Sequence, residues 1–144
     1  MKASGYFALT ISLFAMLCSW QISAEQMKKL GSWDVHYIAF PATFLTPEVA
    51  LKNGIQRSKF NGVVNISVLD TTSQQAQQVA LSGVAKDLVG RQRKLDFKQV
   101  TEGDAVYYLV TIPYQNEQLY NFTIDIRHGN QQQKLKFSHT FFVD

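Results

Sequence analysis

The sequence predicts an all-β protein, an antiparallel immunoglobulin-like β-sandwich of about seven strands with one short inserted helix. Three observations carry that expectation. Apolar residues alternate with period two through seven runs rich in β-branched and aromatic side chains. Turn-forming residues punctuate those runs. A single sheet this apolar would leave a face that has to be buried, so two sheets must cover each other. The composition agrees: 144 residues, 46% hydrophobic, 17% charged and a net charge of +3 suffice for one packed core and exclude a disordered or low-complexity chain.

The chain begins with an address. Lys2 is the only charge before Glu25, an apolar stretch runs from Gly5 to Trp20, and Ala24 supplies the small residue needed before a cut. Residues 1–24 therefore read as a cleavable secretory signal peptide, followed by one domain over residues 25–144 with a periplasmic location. The uncharged span of residues 3–24 is just long enough for a bilayer, so membrane contact is expected only if the segment stays uncleaved. Cleavage would also remove Cys18, the one cysteine. The exported product then has no disulfide, no zinc-thiolate site and no Cys-His chemistry.

The first strand is residues 33–40, with Trp33, Val35, Tyr37 and Ala39 on one face and Asp34, His36, Ile38 and Phe40 on the other; Pro41 ends it. Residues 63–69, 79–85, 95–100, 105–112, 119–126 and 134–143 supply the other six. Turn signals at Asn61-Gly62 and at residues 102–104, 115–117 and 128–130 suggest that most connections are hairpins. Tyr120 stands two residues before Phe122 near the start of the sixth strand, where such sandwiches place a tyrosine corner; an ordinary strand aromatic is the alternative.

One segment breaks the alternation. Thr46 can cap a helix, Pro47 fits its first position, Glu48 complements the positive end, and Asn53-Gly54 can terminate it. Two helical turns are expected here, covering one end of the sandwich. His36-Tyr37 and residues 43–50, 54–58 and 65–68 resemble DUF4426, an exported gammaproteobacterial family of unknown function, with residues 45–58 the most distinctive stretch. The resemblance implies export and a small domain, and brings no chemistry with it.

Catalytic content is thin. His36, His128 and His139 are the only imidazoles and show no metal-ligand spacing, though pairing of the first and last strands would let His36 and His139 approach. No Gly-x-Ser-x-Gly elbow occurs, and the carboxylates Asp34, Glu48, Asp70 and Asp125 cannot be paired by spacing. No catalytic residue, metal site or cofactor is nominated. The basic run of residues 91–94 is interrupted by Asp87 and Asp96 and has no aromatic stacking platform, so it reads as a solvated hairpin surface and not a nucleic-acid site. The glutamine-rich residues 74–78 and 131–133 read as polar connections.

The candidate binding residues are His36, Thr46, Glu48, Arg57 and Ser58, which place an interaction surface on residues 43–59 with His36 nearby. Irregular loops on rigid sandwiches commonly carry recognition. Arg57 offers a planar fork suited to a carboxylate or phosphate; its alternative is a structural salt bridge to Glu48 or Asp34. The expected function is a non-catalytic periplasmic module engaging an unknown protein or envelope component, by its loops or a strand edge. An enzyme or metal carrier with a site around His36 is the other reading.

Overall fold

The computed structural model describes residues 25–143; the expected signal peptide lies outside them. Among the described residues nine strands form: β1 (Gln26–Leu30), β2 (Trp33–Pro41), β3 (Asn61–Asp70), β4 (Ala80–Lys86), β5 (Gln92–Leu95), β6 (Lys98–Glu102), β7 (Ala105–Pro113), β8 (Gln118–His128) and β9 (Gln131–Phe141). They build two antiparallel sheets, β1-β2-β3-β7-β6 and β5-β4-β8-β9. Without β1, these orders are those of an immunoglobulin-type sandwich, A-B-E-D against C′-C-F-G. Among the described residues no helix is long and apolar enough to cross a membrane.

The alternation seen in the first strand sets its inner face. Trp33, Val35, Tyr37 and Ala39 are all buried, opposite Val64, Ile66 and Val68 of β3. From the other sheet come Phe122, Ile124, Ile126, Leu135 and Phe141. Rings fill the middle of this core: Phe137 stacks on Tyr37 at 4.6 Å between centroids and on Phe122 at 4.7 Å. Offset stacking of this kind adds to simple area burial.

The strand count departs from seven for two reasons. Residues 26–30, which were not among the expected strands, pair with β2 despite their lysines, because the exposed edge of β2 offers a ladder of hydrogen bonds to any extended segment. Residues 95–100, read as one strand, are split: Leu95 ends β5 in one sheet, and Lys98 starts β6 in the other. Asp96 and Phe97 make that passage. Periodicity alone cannot report which sheet a strand joins.

Not every connection is a hairpin: β3–β4, β5–β6 and β7–β8 cross between the sheets. Gly103 and Gly129 do sit in tight turns at φ +58°, a conformation that glycine adopts without a Cβ penalty. Asn61-Gly62 is no turn. Both lie within β3, where Gly62 is buried; a Cβ there would come within 2.6 Å of the Phe141 ring. That glycine permits close approach between the sheets.

Helix α1 (Pro47–Lys52) forms as the capping residues demand. Thr46 Oγ1 accepts from the Val49 N–H at 3.3 Å, proline occupies the first turn with Glu48, and Gly54 takes φ +67°. A 3-10 turn, Ala42–Phe44, precedes it. Val63 points away from the inter-sheet core, yet is fully buried, as are Ala42 and Ala50, and none of the three belongs to the main core cluster. Phe44 of the turn stacks on Phe40, on the same outer face as Val63. The insert thus packs against the outer face of the first sheet where β2 ends and β3 begins.

Candidate interaction surface

The candidate residues separate into two places. Thr46, Glu48, Arg57 and Ser58 lie together on the insert, whereas His36 lies in mid-β2, opposite Met27 and Ser67. Five residues of extended chain, roughly 17 Å, part His36 from Pro41, where the insert begins. His36 instead faces a shallow concavity of about 450 Å³ lined by Glu25, Ser67, Gln74, Asp104 and Tyr107. His139 does not join it. It shares the inner-facing positions of β9 with Leu135 and Phe141, lies edge-on to the Phe141 ring at 4.6 Å, and burial holds its pKa below the ordinary 6.5. β2 and β9 are in different sheets, so the pairing that would let His36 approach His139 does not occur. His128 Nδ1 donates to the Gln78 carbonyl at 2.9 Å, since a carbonyl oxygen can only accept. Among the described residues no three His, Cys, Asp or Glu side chains converge as a metal ion would need.

Arg57 makes structural contacts that differ from the salt bridge given as its alternative. Its Nε donates to the Leu45 carbonyl at 2.7 Å and its Nη2 to the Thr43 carbonyl at 3.3 Å. Neither Glu48 nor Asp34 takes part. The fork thereby satisfies two backbone acceptors of the segment joining the 3-10 turn to α1, which has no strand neighbour to do so. Ser58 Oγ accepts from the Phe60 N–H at 3.1 Å, and the Asn61 amide donates to the Gln56 carbonyl at 3.0 Å. These bonds hold the return path of the insert. Glu48 stands exposed in the first turn of α1.

Large apolar side chains are what the insert shows to solvent. Leu51 is 84% exposed, Phe44 73%, Phe60 50% and Val49 43%. Leu88 and Val89, in the β4–β5 turn, and Phe142, past the end of β9, are exposed as well. All seven fall at one end of the sandwich, because β2, β4, β7 and β9 all finish there. None of these residues is among the candidates that the sequence offers. An apolar residue in a capped helix reads as core-facing until the helix is known to have only one buried side, here that of Ala50.

Asp34 organises the opposite end. Its carboxylate accepts from the Gln74 side-chain amide and from the Thr71 hydroxyl, each at 2.9 Å. Asp70 accepts from the N–H groups of Thr72 and Ser73 at 2.9 and 2.8 Å. Gln74, held at φ +59°, gives that loop its sharp reversal. The glutamine-rich connection is thus an ordered turn built on two carboxylates.

All four residues of the basic run, 91–94, are exposed. Arg91 Nε lies 2.8 Å from Asp87 Oδ2, an acceptor that also receives the N–H groups of Val89 and Arg91 on its other oxygen. Desolvation pushes the Asp87 carboxyl up, but the Arg91 N–H and guanidinium and the Val89 N–H outweigh it and leave the pKa lowered. Arg93 is directed to the inner side of its sheet, since its partner across the ladder, Ala85, is fully buried there.

The DUF4426 profile, a domain of unknown function, matches residues 27–144. The crystal structure of a DUF4426 family protein from Pseudomonas aeruginosa PAO1 is similar, with 34% identity and a TM-score of 0.75 over 86% of this chain and 99% of that one. FetP of uropathogenic Escherichia coli strain F11, as isolated after recombinant expression in the periplasm, shares the fold at 12% identity, with a TM-score of 0.55 over 85% of this chain and 96% of that one. A copper-bound variant of FetP aligns at 13% identity and a TM-score of 0.53, over 82% and 89% of the two chains. No curated protein matches. By its profile match and its 34%-identical relative, the chain belongs to the DUF4426 family.

Proposed function

We propose that this protein is an exported, non-catalytic interaction module of the cell envelope, and that the insert between β2 and β3 is its contact surface. The observation that supports the reading is the exposure of Phe44, Val49, Leu51 and Phe60 on a segment fastened by Thr46, Arg57 and Ser58. Exposed apolar side chains on a fastened frame lose little entropy on binding and gain from being covered. Export is supported by the signal-like residues 1–24. The partner is a protein or envelope component with an apolar face.

A photo-crosslinking side chain placed at Leu51 in the native envelope tests this, with Ser82 on the exposed face of β4 as the control. A discrete adduct from Leu51, absent from Ser82 and abolished by Phe44→Glu at unchanged melting temperature, is the expected result. Equal labelling at both positions, or none at Leu51, removes the insert as the contact surface.

The other reading, a metal carrier or enzyme around His36, has the concavity beside His36 and the copper of the FetP variant in its favour. It lacks a set of converging donors among the described residues. A thermal shift with copper or zinc that disappears in His36→Ala would favour it.

A further inference from the structure

The split between β5 and β6 leaves an opening in the sandwich. β6 begins at Lys98 opposite Leu109, so residues 110–113 of β7 have no strand neighbour on that side. Facing them from the other sheet, the inward positions of β5 pass from Leu95, which is buried, to Arg93 and then to Arg91 in the turn. Between lies a cleft of about 500 Å³, lined by Arg91, Arg93, Pro113, Tyr114, Gln115 and Gln118. Both arginines are exposed, so the cleft opens to solvent and its guanidinium groups are accessible to a ligand. Arg91 is paired through Nε with Asp87, and its terminal nitrogens have no other partner among the described residues. Arg93 has no hydrogen-bond or ion-pair partner among them.

The charge balance of the cleft selects the ligand. Asp87 offsets Arg91, leaving about one positive charge from Arg93, which suits a monoanion. A phosphate dianion would place surplus negative charge beside the Asp87 carboxylate. A guanidinium fork matches the two oxygens of a carboxylate, and Pro113 and Tyr114 offer an apolar wall next to it. We propose that this inter-sheet cleft is a binding site for a carboxylate on an apolar body, held by Arg93 and the terminal nitrogens of Arg91. The site is separate from the insert and does not depend on it.

The competing account is that an inward charge on a short edge strand only discourages strand addition from another chain. A titration of the purified protein with benzoate, followed by amide and arginine side-chain NMR at constant ionic strength, tells the two apart. Saturable shifts centred on Arg93 and Gln115 are expected with benzoate, but not with neutral benzamide or with inorganic phosphate. Arg93→Gln should weaken benzoate by about tenfold or more, the loss expected when a charged hydrogen-bond partner is removed. Its spectrum away from the cleft should be unchanged. Absence of saturation with benzoate, equal binding of benzamide, or tighter binding of phosphate each overturns the proposal. So does an Arg93→Gln protein that self-associates while benzoate affinity stays as in the wild type; Arg93 would then be an edge guard.

Discussion

The Tyr120 hydroxyl donates to the Pro113 carbonyl oxygen at 2.7 Å, closing a tyrosine corner where the chain leaves β7 and crosses to β8 in the other sheet. Tyr120 is nearly fully buried and packs edge-on to Phe141 and at a tilt to Phe122. The bond therefore ties the crossover to the ring cluster of the core. Hydrogen bonds in such water-poor places are costly to leave half-made.

Tyr120→Phe keeps the ring and deletes only that donor, so it isolates the corner. We expect a loss of about 1–2 kcal/mol in urea unfolding with no change in the denaturant slope. A loss indistinguishable from zero would show that water replaces the hydroxyl without cost.

Gly62→Ala probes the closest approach between the sheets. The added Cβ would come within 2.6–2.7 Å of two ring atoms of Phe141, a ring already stacked on Tyr114 at 4.6 Å and flanked by His139 at the same distance. Because that ring has nowhere to retreat, the change should cost about 1–3 kcal/mol, the usual penalty of overpacking. Gly62→Ala combined with Phe141→Leu should recover part of it, measured as non-additivity in a double-mutant cycle.

Arg57→Ala should act locally. It removes the donors to the Leu45 and Thr43 carbonyls, which together are worth about 1–2 kcal/mol at most on an exposed segment. Hydrogen exchange should quicken at Ala50, Asn53 and Ile55, whose amides bond within the insert, and stay slow in the β8–β9 ladder. Quickening throughout the core would mean the insert supports the whole sandwich.

Asp34 predicts an acid-sensitive turn. The Gln74 amide first, then the Thr71 hydroxyl, lower its pKa below the ordinary 3.8. A carboxyl depressed in the folded state adds stability that is complete above its unfolded pKa and disappears as pH falls through the folded one. Acidification from about pH 5 to about pH 2 should therefore destabilise the wild type more than Asp34→Asn, compared by urea unfolding at each pH. Asp70 is lowered in the same direction, chiefly by the Ser73 N–H, so the variant should retain part of the acid sensitivity. Identical pH profiles would show that the Asp34 contacts do not differ between folded and unfolded chains.

Several features follow from local rules and were legible in the sequence alone. Period-two burial at Trp33, Val35, Tyr37 and Ala39 is dictated by the pleat, which sends successive side chains to opposite faces. The helix limits at Thr46 and Gly54 depend on capping within a single turn, and Tyr120 carried its corner in its position near a strand start. What only the tertiary structure decided depends on partners distant along the chain. Asp96 and Phe97 divide one apparent strand between two sheets, Gly62 faces a ring 79 positions away, and the Arg57 fork finds backbone carbonyls where the sequence offered carboxylates. His36 and the insert are parted because one strand carries both, and a strand spends its length in a straight line. Leu51 is exposed because α1 is covered only on the side of Ala50, and Arg93 is directed inward because the ladder sets it beside the buried Ala85. Periodicity records how a side chain alternates, while the surface each side meets is set by where the next sheet, helix or gap lies.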